Sequence, residues 1–196
     1  MLSPNFTLFF LFISAMVTEN LIFARATGID EIVGRARNNS HIVIYSVLMF
    51  FIAFPSILMI SPIKTFFTDH WHSVRGIIVA VAVSVCCFTL SFIGKKYKLF
   101  EKIGFSESTI LAISFNCTTF AIVLFSIQES SLFNAIIYCG GACVGVMISM
   151  LLLHSGKERL EISNVSRAFQ GLPITLIYIG ILSMAIYGLI GHKLLT

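Results

Sequence analysis

The sequence predicts an all-α integral membrane protein with six transmembrane helices. Hydrophobic residues make up 57% of the 196 residues and charged residues only 11%, whereas soluble domains carry roughly 25% charged residues. The apolar residues form continuous runs rich in Leu, Ile and Phe, unlike the alternating pattern of a membrane β-barrel. A spanning helix needs about 20 mostly apolar residues. Such runs occur at 5–24, 41–60, 74–94, 108–127, 132–154 and 172–191.

These runs take up most of the chain, so we expect a single membrane domain over residues 1–196. The first run is expected to be a mature helix rather than an export signal, because MLSPNFTLFF has no basic residue before its apolar part. The sequence has no phosphate-binding loop, nucleophile elbow or dinucleotide fingerprint. The chain is therefore expected to have no catalytic residues and to be non-catalytic alone.

Basic residues are concentrated in alternate connections between the predicted spans. Only Lys64, Arg75 and Lys193 lie on one side of the membrane in this arrangement. The basic residues on the other side are Arg25, Arg35, Arg37, Lys95, Lys96, Lys98, Lys102, Lys157, Arg159 and Arg167. Because cytoplasmic loops are enriched in Lys and Arg, we expect a multi-pass protein of a bacterial cytoplasmic membrane with both termini outside. The orientation of the chain in the lipid bilayer explains this charge distribution, which does not indicate nucleic-acid binding.

Three spans in each half would make the halves inverted repeats, approximately 1–103 and 104–196. The first apolar run of each half contains polar residues, with Asn20 in SAMVTENLIFARATGID and Asn116 in ILAISFNCTTFAIVLFS. Broken helices at corresponding positions of two repeats indicate a functional site near the middle of the bilayer. Irregular backbone is tolerated there only where protein or a cavity covers it. We therefore predict a broken first helix in each half.

The acidic residues around the first break allow two interpretations. Carboxylates within a membrane are costly and often mark ion pathways, which makes Asp30, Glu31 and Glu19 candidates for an ion path. Alternatively, Glu19 pairs with Arg25 at a helix end, while Asp30 and Glu31 reach the cytoplasmic edge. Both interpretations remain open from the sequence.

The remaining polar and small residues have simpler explanations. All five cysteines lie within apolar runs, so the sequence indicates no extracellular disulfide framework. Four of them are expected to be small buried hydrophobic residues, namely Cys86, Cys87, Cys139 and Cys143. Gly141 and Gly145 have the spacing that lets two membrane helices approach closely. We predict that they pack against a neighbouring helix.

Several of these motifs together resemble one family. Residues 158–191, ERLEISNVSRAFQGLPITLIYIGILSMAIYGLIG, are similar to the last loop and helix of the paired six-helix subunits of the Rnf and Nqr respiratory complexes. FNCTTFAIV resembles the Asn-Cys broken-helix motif of these subunits at Asn116 and Cys117, and IIYCGGACVGVM resembles their fifth helix. ENLIFARATGI resembles their Glu-Asn opening, with Glu19, Asn20 and Gly28. The resemblance is to the Rnf A and Nqr E type and covers nearly the whole chain.

The resemblance implies a membrane subunit of an ion-translocating electron transport complex, a translocase. In that family two inverted homologous subunits share a [2Fe-2S] cluster, and each supplies two cysteines. Cys117 matches one ligand, but two residues after Gly28, where the family has the other, this chain has Asp30. Carboxylate oxygen is a harder ligand than thiolate. The resemblance thus implies Cys117 and Asp30 as metal-ligand candidates. The alternative is a cluster-free relative that acts as an ion path or structural scaffold.

Overall fold

The computed structural model describes residues 4–28, 39–66, 71–96, 107–162 and 169–190 of the chain. Within these ranges the chain is helical apart from short connections and forms no strand. The helices are α1 (Pro4–Ile13), α2 (Leu21–Arg25), α3 (Asn39–Phe66), α4 (Trp71–Lys96), α5 (Glu107–Ser114), α6 (Cys117–Ser126), α7 (Leu132–Ile162) and α8 (Leu172–Ile190). The prediction of an all-α protein is confirmed for this part of the chain.

Helices α3, α4 and α7 are long and apolar enough to cross a membrane. Their candidate spans are Ser40–Phe66, Trp71–Lys96 and Leu132–Leu160, of 27, 26 and 29 residues. Shorter apolar helical segments lie at Phe6–Thr18, Cys117–Ser126 and Leu172–Gly188. These lengths and compositions agree with the predicted membrane protein, and the total of six crossings remains a prediction.

Two long helices extend further than their apolar runs predict. Helix α3 passes through Pro55 and Pro62 without ending; membrane helices tolerate prolines because neighbouring side chains and helices pair the freed backbone groups. Helix α7 was expected to end at residue 154 but continues to Ile162. Its last part, GKERLEI, contains mostly good helix formers, and His154 Nε2 lies 3.5 Å from Glu158 Oε1 one turn later. The predicted connector therefore begins as helix.

The core lies between α3 and α7, which pack against each other, while α1 packs on α7 and α6 contacts both. Two glycines of α7 allow the close approach of the first helix. A Cβ atom on Gly141 would lie 2.6 Å from the carbonyl oxygen of Phe12, and one on Gly145 would lie 2.6 Å from that of Met16. The small-residue spacing thus brings the two helix backbones together.

Both predicted broken helices are interrupted in the structure. After α1 the helix widens over Ser14–Thr18, and the N–H of Glu19 donates to the Ser14 oxygen at 2.9 Å before α2 begins. In the second half, α5 ends at Ser114 and α6 begins at Cys117. Each interruption leaves backbone groups that need partners in an apolar environment.

Candidate functional site

Asn20 caps the helix that follows the first break. Its buried side-chain oxygen accepts from the N–H groups of Ile22, at 3.0 Å, and Phe23, at 3.4 Å. Its amide nitrogen donates to the carbonyl oxygen of Met16, at 3.1 Å, and to that of Gly145 on α7, at 3.0 Å. Asparagine is a preferred N-cap residue. The Asn20 side chain thus hydrogen-bonds backbone groups on both sides of the break and also bonds to α7.

Asn116 caps the helix that follows the second break in the same way. Its side-chain oxygen accepts from the N–H of Thr118 at 3.0 Å. Its amide nitrogen donates to the hydroxyl oxygen of Tyr45 on α3 at 2.8 Å. The first broken helix is thus held by the long helix of the second half, and the second broken helix by the long helix of the first half.

The two breaks meet at Cys117 and Gly28. The N–H of Gly28 donates to Cys117 Sγ at 3.4 Å, and the thiol lies 3.3 Å from the side-chain oxygen of Asn116, to which it donates. Gly28 has a φ angle of +77°, and a Cβ atom there would collide with the side chain of Thr118. Glycine is therefore required for both the backbone conformation and the close approach to α6.

Cys117 is the one exposed cysteine of the five. The other four thiols are buried, two in α4 and two in α7, as the sequence predicts. Beside Cys117, the hydroxyl of Thr118 is buried and has no hydrogen-bond partner in the described part of the chain. Cys117 thus combines exposure, a backbone N–H donor and a position at a helix N-terminus, where partial positive charge accumulates.

A second polar contact lies on the other side of the first break. The hydroxyl of Tyr138, a buried residue of α7, donates to Glu19 Oε2 at 2.7 Å. Glu19 itself is exposed. The guanidinium of Arg25 lies 3.8 Å from the centroid of the Phe125 ring. Among the described residues no ion pair joins Arg25 to Glu19, so the pairing considered from the sequence is not formed there.

The position of Arg25 also changes the assignment of basic residues to the two sides of the membrane. Phe125 is next to the end of α6, and the turn that follows leads into α7. At the same end, Lys64 Nζ donates to the carbonyl oxygens of Ile127, at 2.7 Å, and Glu129, at 3.0 Å. The Arg25 guanidinium therefore lies towards the side assigned to Lys64, and Arg25 does not belong with the opposite group of basic residues.

Asp30 and Glu31 lie outside the described residues, and their roles as metal ligand and ion path remain predictions. Within the described ranges, no group of three or more His, Cys, Asp or Glu side chains is arranged to hold a metal ion. As an exposed free thiol, Cys117 has the chemistry of a soft metal ligand. The other four thiols are buried elsewhere, so this chain does not bring a second cysteine to Cys117.

Two tyrosines complete the site, and sequence reasoning assigned no role to their side chains. Tyr45 accepts from Asn116, and Tyr138 donates to Glu19. Buried tyrosine hydroxyls normally find a hydrogen-bond partner, so a tyrosine inside an apolar run is a usable sequence signal. The partners themselves are far apart in the chain and follow only from the packing of the helices.

Comparison with known proteins gives one family. A sequence model of the family described as "Rnf-Nqr subunit, membrane protein" matches residues 8–192. The chain is 26% identical over 194 residues to the A subunit of the Na(+)-translocating ferredoxin:NAD(+) oxidoreductase complex of Acetobacterium woodii, covering 96% of this chain and 99% of the relative.

Two further relatives are named as the A subunit of an ion-translocating oxidoreductase complex. The protein from Buchnera aphidicola subsp. Schizaphis graminum is 27% identical over 195 residues, covering 93% of this chain and 96% of the relative. The protein from Vibrio cholerae serotype O1 (strain ATCC 39315 / El Tor Inaba N16961) is 35% identical over 80 residues, covering 40% of this chain and 42% of the relative.

Proposed function

We propose that this chain, which belongs to the Rnf-Nqr family of membrane subunits, serves as an A-type membrane subunit of an ion-translocating electron transport complex. The family match over residues 8–192 confirms the resemblance found in the sequence motifs. The relatives that align over nearly the whole chain are named as the A subunits of such complexes. The chain has no catalytic role alone in this proposal, and it acts through its place in the complex.

The observation that carries this proposal is the position of Cys117. It is the exposed thiol at the point where both broken helices meet, and the Gly28 N–H donates to its sulfur at 3.4 Å. Thiolates are the soft ligands of iron-sulfur clusters, and hydrogen bonds to sulfur tune their reduction potential. Cys117 would hold a [2Fe-2S] cluster shared with a partner subunit, and Asp30 would contribute an oxygen ligand. When bound, such a cluster would carry electrons between the two faces of the membrane.

The exposed polar groups near the two breaks support a protein partner. Glu19, Arg25 and Cys117 are all exposed. A charged side chain at the bilayer centre costs about 2.5–3.5 kcal/mol on insertion scales, so lipid is a poor cover for Glu19, whose neighbour Asn20 bonds to Gly145 near the middle of a candidate span. We propose that an inverted homologous membrane subunit covers these groups, and that further subunits of the complex complete the assembly.

The two asparagine contacts support the inverted-repeat arrangement. Asn20 of the first broken helix bonds to α7, and Asn116 of the second bonds to α3. If the halves 1–103 and 104–196 are inverted repeats, α3 and α7 are the second helices of the two repeats. Each broken helix then contacts the second helix of the opposite repeat, as a pseudo-two-fold axis requires. This supports six spans. The placement of both termini outside a bacterial cytoplasmic membrane rests instead on the uneven distribution of basic residues between the connections.

Iron analysis of the purified complex tests the role of Cys117. Iron and acid-labile sulfide would be measured together with electron paramagnetic resonance after reduction, on this chain purified with its inverted partner. We expect a cluster signal that Cys117→Ala removes. The matched control is Cys87→Ala, since Cys87 is a buried thiol of α4 and its loss should leave the signal unchanged. A signal that survives Cys117→Ala contradicts the proposal.

The cluster-free alternative rests on a different observation. Cys117 has no second thiol of this chain beside it, and Glu19 has no ion-pair partner among the described residues. In this alternative Asp30, Glu31 and Glu19 handle a cation while the fold serves as a scaffold. An intact complex that contains no iron at this site, yet depends on these carboxylates for cation movement, would establish the alternative.

A further inference from the structure

We propose that Glu19 and Tyr138 form a binding site for a monovalent cation, either sodium or a proton, within the membrane. This inference deepens the proposed function, because it names a place where an ion-translocating subunit would hold its ion. It differs from the Cys117 site in its residues and in its chemistry. Its failure can also be observed separately from that of the cluster, because carbodiimide labelling needs no electron transfer.

The depth of Glu19 follows from its neighbour in the chain. Asn20 donates to the carbonyl oxygen of Gly145 at 3.0 Å, and Gly145 lies near the middle of the candidate span Leu132–Leu160. Tyr138, which bonds to Glu19, lies within the same span. The Glu19 carboxylate therefore lies within the length of this candidate span.

The carboxylate of Glu19 forms no ion pair in the described part of the chain. The nearest candidate by sequence is Arg25, but its guanidinium stacks on the ring of Phe125 at 3.8 Å. The described residues contain no ion pair to Glu19. An isolated carboxylate in an apolar medium is costly and is normally neutralised. A bound proton or metal cation would neutralise the Glu19 carboxylate without breaking its hydrogen bond to Tyr138 or the contact between Arg25 and Phe125.

The Tyr138 hydroxyl orients the Glu19 carboxylate and stabilises its ionised form. Its hydroxyl donates to one Glu19 oxygen at 2.7 Å, so the second oxygen and the lone pairs of the hydroxyl remain for a cation. Hard oxygen ligands of this kind suit hard cations better than soft metals. Among the described residues, the other charged groups close enough to act on the Tyr138 hydroxyl are Arg25 and Glu129. They have opposite charges, so their long-range effects partly cancel at the site.

A cavity of about 280 Å³ lies on the Lys64 side of this site. Its lining includes Glu129 and Ala135, and Ala135 is about one turn before Tyr138 on α7. The Lys64 ammonium, which also lines the cavity, is held by two backbone carbonyl oxygens. The cavity therefore ends about one helical turn from Tyr138, which does not itself line it.

Labelling with dicyclohexylcarbodiimide tests the site on the purified complex without any electron transfer. This apolar reagent modifies protonated carboxyl groups in membranes, and peptide mass spectrometry would locate the adduct. We expect labelling at Glu19. If the ion is sodium, NaCl but not KCl or choline chloride at equal ionic strength slows labelling at least threefold. If the ion is a proton, labelling accelerates in acid and does not respond to sodium. Glu158, with a side chain 66% exposed, is the control carboxylate that should stay unlabelled.

Two results would overturn the inference. One is a Glu19 that stays unlabelled at every pH and salt concentration, and the other is a labelling rate that neither sodium nor pH changes. Because labelling does not need the cluster, absence of iron at Cys117 would remove the redox proposal and leave this measurement intact. Conversely, a normal cluster signal with an unreactive Glu19 would remove only the cation site.

Tyr138→Phe tests whether the tyrosine is part of the site. In the sodium case we expect the concentration for half-maximal protection of Glu19 to rise about tenfold, because one oxygen of the site is lost. In the proton case the acid dependence of labelling should move to higher pH, since the variant lacks a donor to the ionised carboxylate. Tyr187→Phe, at an exposed tyrosine of α8, is the matched control. A Tyr138→Phe variant that behaves like wild type would assign the site to Glu19 without Tyr138 and contradict the inference as stated.

Discussion

The two broken helices use the same capping residue and hold different chemistry. Asn20 and Asn116 each cap a helix after an interruption, and each also donates to a long helix of the other half. The first break places the carboxylate of Glu19 beside its cap, whereas the second places the thiol of Cys117 there. In both breaks the asparagine amide pairs backbone groups that the interruption leaves without helical partners. The residue next to the asparagine is not needed for this pairing and can therefore have a functional role.

The anchors of the two caps also differ. Asn20 bonds to a backbone carbonyl of α7, which it reaches because Gly141 and Gly145 let the first helix approach closely. Asn116 bonds to a side chain, the hydroxyl of Tyr45. A backbone anchor requires close packing of two helices, while a side-chain anchor bridges a wider separation. The first break should therefore be more sensitive to changes in helix packing than the second.

Removing the two caps gives the largest expected effects. Asn20→Ala removes two accepted and two donated hydrogen bonds, and should cost about 3 kcal/mol, a capping loss plus a lost buried bond. Asn116→Ala should cost about 2 kcal/mol by the same reasoning. Unfolding free energies in mixed detergent micelles would measure both. The control is Asn134→Ala, since Asn134 forms its bond to Ser131 through the backbone N–H. A larger cost at Asn116 than at Asn20 would contradict the comparison.

A methyl group at Gly145 tests the dependence of the first cap on packing. Gly145→Ala places a Cβ atom 2.6 Å from the Met16 carbonyl oxygen, and we expect a loss of about 2 kcal/mol, within the range for overpacking. Gly180→Ala is the matched control, because nothing lies within 4 Å of a Cβ atom there. It should gain up to about 1 kcal/mol from helix propensity. The same unfolding measurement decides the outcome, and equal effects of the two changes would argue against a glycine-dependent contact.

The sequence could predict the broken helices because their signals are local. Polar residues such as Asn20 and Asn116 interrupt apolar runs, and asparagine is a strong capping residue. It could also predict that Gly141 and Gly145 pack closely, because their spacing has one common structural meaning. The extent of α7 was missed, since charged residues after the apolar run are compatible with either a loop or a solvated helix.

The partners of the site residues could not be predicted in the same way. Tyr45 and Asn116, or Tyr138 and Glu19, are brought together by helix packing over long stretches of chain. Arg25 shows the same limit, because its sequence position puts it in a connection and its long side chain reaches back to Phe125. Charge counts assign a residue by its backbone, while a snorkelling side chain places its charge elsewhere.

Gly28→Ala sharpens the comparison at the point where the two breaks meet. The variant needs a left-handed backbone, which costs roughly 1 kcal/mol for a residue with a Cβ atom, and also collides with the side chain of Thr118. We expect a total loss of about 2 kcal/mol, falling to about 1 kcal/mol in a Thr118→Ala background. A double-mutant cycle on unfolding free energies measures this coupling. Strictly additive effects would show that Gly28 and Thr118 are not in contact.

The smallest expected effect concerns the contact between Arg25 and the ring of Phe125. Phe125→Leu removes the aromatic face under the guanidinium, and should lower the unfolding free energy by about 1 kcal/mol, the usual size of a cation–π contact. Phe92→Leu, at an exposed position of α4, is the control for loss of an aromatic ring. The released guanidinium should then turn towards Glu19 and compete with the cation, so sodium or acid should alter carbodiimide labelling less than in wild type. If stability falls as expected but the labelling response of Glu19 does not change, Arg25 has no part in setting the charge of the first break.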